Sequence, residues 1–137
     1  MTETIKFSLD GKEAEAAPGE TIWQVARRQG TEIPHLCYRD APDYRGDGNC
    51  RACMVEIDGE PRLSASCIRM PEPGMAVQST SQRAQKARRM VFELLITDQK
   101  SLEGDLKTQA HALGVTESRF PAGPVVDKDS THTAINV

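Results

Sequence analysis

The stretch GDGNCRACMVEIDGEPRLSASCIRM, residues 46–70, decides how this chain is read. It opens on Gly46 and Gly48, passes through Cys50-Arg51-Ala52-Cys53, and then changes period. Met54, Val55 and Ile57 make an apolar run suited to a strand. Asp58-Gly59 starts a hairpin, because both central positions of such a turn need positive φ and these two residue types accept it. Residues 63–66 return as a second strand and deliver Cys67 at its end. A glycine-bearing loop with a close cysteine pair, then a hairpin, then one more cysteine: this is the centre of the molecule.

Upstream, Ile5, Phe7 and Leu9 alternate with Lys6 and Ser8, the period of a half-buried strand. Asp10-Gly11 is a second hairpin signal, and a weaker return strand over residues 13–17 is broken by Pro18-Gly19. Thr21 and Gln24 stand at capping-box spacing and open a helix with Ile22, Trp23, Val25 and Ala26 as its apolar stripe, stopped by Gly30. Residues 31–53 follow as a loop rich in Gly, Pro and Asp, and so long a loop in a small domain is usually functional. Downstream of Cys67, Pro71-Glu72-Pro73-Gly74 turns the chain into a short strand over 75–77. The first 80 residues thus read as ββαβββ, a small mixed sheet with one helix across it. Residues 81–97 carry Ala84, Ala87, Met90, Val91, Leu94 and Leu95 at helical spacing, and a further helix is expected over 103–113 with Leu102, Leu106, Ala110 and Leu113 on one side. The expected organisation is an α+β domain over 1–80, a helical extension over 81–119 and an extended tail or linker over 120–137.

The totals set bounds. A chain of 137 residues buries a modest core, and with 4% aromatics that core must be aliphatic. A formal charge of −3 does not suit a nucleic-acid binder. No apolar run is long enough to span a bilayer. The first residues, MTETIKFSLDGKE, lack a positive region followed by an apolar stretch, so a cytoplasmic location is expected. Thiols stay reduced there, and clustered cysteines then point to metal binding or catalysis rather than disulfides.

All four cysteines lie within 31 residues as Cys37-x12-Cys50-x2-Cys53-x13-Cys67. Cys50 and Cys53 are close enough to bind one metal centre, while Cys37 and Cys67 arrive singly. Four thiolates satisfy the two irons of a [2Fe–2S] cluster, two to each. Gly46 and Gly48 let main-chain N–H groups turn towards sulfur, and such hydrogen bonds tune the metal. Arg39, Arg45 and Arg51 flank the ligands and would favour reduction, or are simply solvated. A Zn(Cys)4 scaffold remains a rival, although structural zinc sites commonly use two close pairs and this chain has one. Two disulfides, four buried thiols or catalytic thiol chemistry beside His35 are further alternatives.

The stretches IPHLCYRD, GDGNCRACMVEIDGEPRLSASCIRMPEPGMAV and VFELLITDQ resemble the N-terminal [2Fe–2S] domain of the complex I 75-kDa subunit group. That group includes NAD-reducing hydrogenase diaphorase subunits and the α subunits of NAD-dependent formate dehydrogenases containing molybdenum or tungsten. Through GNCRACMVEIDGE and GVTESRFP the chain looks like the formate dehydrogenase branch. The resemblance implies a β-grasp ferredoxin-like fold, a [2Fe–2S] cofactor and Cys37, Cys50, Cys53 and Cys67 as its ligands. It implies one-electron transfer between a molybdopterin catalytic subunit and a flavin/NAD module, with no catalytic residue in this chain. Many relatives bind a [4Fe–4S] cluster through a His and three Cys after the long helix. Here that region reads TDQKSLEGDLKTQAHALG without a cysteine, so His111 is expected on a helix surface. A free soluble ferredoxin is the third reading.

Arg83, Lys86, Arg88 and Arg89 give the long helix a basic side, expected to be solvated or to meet an acidic partner. Trp23 is expected in the core and His35 as a plain loop histidine. No glycine loop suited to cradling a phosphate is present.

Overall fold

A computed structural model describes residues 3–99 and 102–121. Strand β1 (Ile5–Leu9) turns through Asp10 and Gly11, at φ 51° and 80°, into the antiparallel β2 (Lys12–Ala16). The return strand therefore begins one residue earlier than its sequence suggests, because the turn is confined to the two residues that tolerate positive φ. The expected capping box then forms. The Gln24 N–H donates to Thr21 Oγ1 at 3.3 Å, and the Thr21 N–H donates to Gln24 Oε1 at 3.0 Å. Helix α1 (Ile22–Arg28) follows.

The sheet is completed by β3 (Met54–Ile57), β4 (Ser64–Ala65) and β5 (Ala76–Gln78), in the order β2-β1-β5-β3-β4. β1 and β5 run parallel and the other pairs antiparallel. This is the α+β, β-grasp arrangement expected from the sequence. The period of two places Phe7, Leu9, Ala14, Ala16, Val55, Ile57 and Val77 on the buried face, where α1 supplies Ile22, Trp23, Val25 and Ala26. The first amides of α1 lack partners within the helix. Here the Ile22 N–H donates to Arg69 O at 2.9 Å and the Trp23 N–H to Ser66 O at 3.0 Å. Those bonds fix the helix against the segment that carries Cys67.

Ser81 caps α2 (Gln82–Thr97) through its hydroxyl, which accepts from the Ala84 N–H at 3.1 Å. Helix α3 (Gly104–Ala112) follows. The extension does not stand apart from the sheet domain. Phe92, Ala110 and Val115 form a second core with Ala52, and Leu36 and Cys50 of the long loop pack against it. Of the tail expected over 120–137, residues 122–137 lie outside the described residues. Among the described residues, no helix is long and apolar enough to cross a membrane.

Candidate metal centre

The long loop leaves α1 in a conformation fixed by aromatic packing. Trp23 is 3% exposed, donates from its indole N–H to Ile33 O at 2.9 Å, and makes edge contacts with the rings of His35 and Tyr38. His35 is therefore more than a plain loop histidine: it sits on Trp23, two residues from Cys37. Its main chain is also held from the other side. The His35 N–H donates to Gln109 Oε1 at 2.7 Å, and Gln109 Nε2 donates to His35 O at 2.6 Å. A side-chain amide of α3 thus pairs with the peptide of the loop as a neighbouring strand would.

Each cysteine is delivered by a different device. Cys37 follows the clamped His35. Cys50 and Cys53 bracket a turn in which Arg51 holds φ 60°, a left-handed conformation uncommon outside glycine. Cys67 leaves β4 with the main chain of residues 66–69 bonded to α1. Cys53 and Cys67 are each 1% exposed, while Cys37 and Cys50 are half-buried on the loop side. All four are free thiols, so the disulfide reading does not hold.

Main-chain N–H groups converge on the sulfurs. The amides of Cys37 and Ala52 each donate to Cys50 Sγ at 3.4 Å. Those of Asn49 and Cys50 face Cys37, and that of Gly48 faces Cys67. Such donors favour the thiolate form, the form that binds metal. The thiols also sense one another. The Cys67 thiol hydrogen-bonds Cys53 and holds it well below the usual thiol range, while that same bond, burial and repulsion from Cys53 and Cys37 push Cys67 up. Burial raises Cys37, and Cys50 beside it adds to the rise. Four sulfurs gathered this closely cannot all be ionised without a compensating cation.

The glycines make room for this. A Cβ on Gly46 would lie 2.6 Å from the Cys67 carbonyl oxygen, and one on Gly48, at φ 67°, would lie 2.9 Å from Ile68 Cδ1. Gly46 is therefore needed for close approach and Gly48 for both approach and conformation. The donors fit a binuclear group better than a single ion. They associate as Cys37 with Cys50 and Cys53 with Cys67.

Of the other residues singled out from sequence, Arg39, Arg45 and Arg51 are exposed, as is His111 on α3. Arg83 pairs with Glu56 at 3.1 Å. Arg88 departs from the expectation of a solvated helix face: it is 5% exposed, and Nη1 donates to Met54 O at 3.4 Å. Its place four residues before Phe92 and four after Ala84, both fully buried, was the available signal that it lies on the inner side of α2. No comparable pattern marks Gln109.

A family model for a 2Fe-2S iron-sulfur cluster binding domain matches residues 2–82. A subunit of the NADH-quinone oxidoreductase of Rickettsia felis is 37% identical over 125 residues, covering 85% of this chain and 18% of that protein. NADP-reducing hydrogenase subunit HndD of Solidesulfovibrio fructosivorans is 33% identical over 130 residues, covering 87% of this chain and 22% of that protein. A crystal structure of an NAD+-reducing [NiFe]-hydrogenase in the H2-reduced state superposes with a TM-score of 0.77 at 34% identity, covering 94% of this chain and 57% of that one. The chain thus spans about a fifth of the length of the curated relatives it matches.

Proposed function

The chain belongs to the family of 2Fe-2S iron-sulfur cluster binding domains, and from that premise we propose that it relays single electrons through one [2Fe–2S] cluster held by Cys37, Cys50, Cys53 and Cys67. The observation that carries the ligand assignment is the pairing of the four thiols under converging main-chain N–H donors. When bound, the cluster supplies a one-electron couple. The chain's own part is to shield and to tune. Cys53 and Cys67 are buried against the sheet core, and the amides of Cys37, Gly48, Asn49 and Ala52 stabilise negative charge on sulfur.

We further propose that this relay works within an NAD-linked oxidoreductase assembly, beside larger redox subunits that bind the substrates. The relatives named above, from an NADH-quinone oxidoreductase and from pyridine-nucleotide-reducing hydrogenases, support that reading. The finer reading is a formate dehydrogenase, with a molybdopterin catalytic subunit on one side and a flavin/NAD module on the other. It rests on the stretches GNCRACMVEIDGE and GVTESRFP. The family match over 2–82 supports placing the boundary between the sheet domain and its helical extension near residue 80.

Anaerobic purification followed by iron and acid-labile sulfide analysis tests the cluster assignment. About two of each per chain, with a single S = 1/2 EPR signal after reduction, is the expected result. Colourless protein holding one zinc ion would refute it. Assay of the purified chain with formate, NAD and an artificial dye should give no turnover. Sustained turnover would overturn the relay reading.

A further inference from the structure

Arg88 is the one buried cation among the described residues. Burying a guanidinium is costly unless it is paired and its donors are satisfied. Here neither condition is met by neighbouring side chains. Nη1 makes a single long bond of 3.4 Å to the Met54 carbonyl, Nε has no partner, and among the described residues no carboxylate lies within salt-bridge distance. Burial pulls the pKa of the Arg88 guanidinium below its ordinary value, but arginine does not escape this cost by losing its proton in proteins. The fold therefore holds a permanent, under-compensated positive charge inside the seam between α2 and β3, against the carbonyl of the residue that follows Cys53.

The surroundings show where the compensation lies. Arg88 borders a cavity of about 490 Å³ between the helical extension and the long loop, shared with Trp23, His35 and Gln109. The negative charges that attract it are those of Asp10 and Cys53. Asp10 is already committed, accepting from both the Ser79 N–H and the Ser79 hydroxyl. Asp10 keeps its charge and Glu32 lines the same cavity, but the thiolate set is the negative centre whose charge changes on reduction. An oxidised [2Fe–2S] cluster on four thiolates carries formal charge −2, and reduction takes it to −3. A fixed cation in a poorly solvated seam stabilises the reduced form more than the oxidised one. The arginines that the sequence places beside the ligands, Arg39, Arg45 and Arg51, are exposed and screened by water and salt.

We propose that Arg88 is a potential-setting residue: its buried guanidinium, held on the Met54 carbonyl beside Cys53, is the charge that raises the reduction potential of the cluster. This rests on Cys53 and its three partners being the ligands. One partly desolvated unit charge acting on the cluster is worth roughly a ten-fold change in the equilibrium constant for reduction, or about 59 mV for a one-electron couple.

The test is an EPR-monitored redox titration of the full chain with dithionite and mediator dyes, on wild type and four variants. Arg88→Gln and Arg88→Met should each lower the equilibrium constant for reduction about ten-fold. Arg88→Lys should stay within three-fold of wild type, and the exposed control Arg89→Met should not move. A neutral Arg88 variant whose loaded cluster titrates within two-fold of wild type overturns the proposal, as does an equal shift in Arg89→Met. If neither neutral variant assembles a cluster, Arg88→Lys decides. A loaded cluster within three-fold of wild type supports the charge role, and a shifted or absent one overturns it. Wild-type protein without a two-iron signal would instead count against the ligand assignment.

Discussion

Replacing Gln109 by Met should release the loop that carries Cys37 while leaving the β-grasp sheet intact. The Gln109 side chain makes two hydrogen bonds to the main chain of His35, at 2.7 and 2.6 Å, from the far side of the extension. A hydrogen bond of this kind contributes a net ~1 kcal/mol, so the pair contributes about 2 kcal/mol. Met keeps the length and much of the packing but can neither accept from the His35 N–H nor donate to its carbonyl. Because α2, α3 and the loop share a core through Phe92, Ala110, Leu36 and Cys50, the loss falls on the local opening of the loop. A change of about 2 kcal/mol corresponds to roughly 30-fold in that equilibrium. Native-state hydrogen exchange on cluster-loaded protein reads it directly. The His35 amide should lose about 30-fold in protection, while Phe7 and Val55 in the sheet keep theirs. Cluster loss to a chelator should accelerate in parallel. Protection at His35 within three-fold of wild type, with α3 still helical, would show that the clamp is incidental and that the second core alone holds the loop.

Other substitutions probe the site and its support. Cys53→Ala should prevent stable cluster assembly, whereas His111→Ala, on the exposed side of α3, should leave iron and sulfide content unchanged; the reverse outcome would refute the ligand assignment. Gly46→Ala drives a methyl group to 2.6 Å from the Cys67 carbonyl oxygen, a main-chain atom that cannot step aside, so cluster occupancy after reconstitution should fall several-fold; full occupancy would mean the loop shifts freely. Trp23→Phe removes the donor to the buried Ile33 carbonyl and should cost about 1–3 kcal/mol by chemical denaturation, with no loss showing that water replaces the indole N–H.

Much of the fold was legible because it follows local rules. The alternation of Ile5, Phe7 and Leu9, the Asp10-Gly11 turn and the Thr21–Gln24 capping box each specify an element through residues only a few positions apart, and each formed as read. The deviations are at strand ends. The last strand occupies 76–78 rather than 75–77, because its register is set by pairing to β1 and β3. The second hairpin's return strand pairs over only two residues, because residues 58–63 are taken up by the turn and Pro61.

The cysteine spacing, with Gly46 and Gly48 beside it, by itself narrowed the cofactor to a four-thiolate metal centre, and strand alternation with the Asp-Gly turns specified the small mixed sheet. Metal-ligand chemistry and turn chemistry are written in residue type and short-range separation, and neither needs a distant partner to be recognised. What only the tertiary structure decided are the relations between residues far apart in the chain. Gln109 meets His35 across 74 positions, and Arg88 meets Met54 across 34. Periodicity can mark a helix and its inner face. It cannot say which loop that face will cover, because the choice is made by the summed burial of Phe92, Ala110 and Val115 against Ala52 and Leu36. It can mark Arg88 as lying on that face, but not what the guanidinium meets there, since the cost of burying it is offset only where the folded chain brings negative charge alongside.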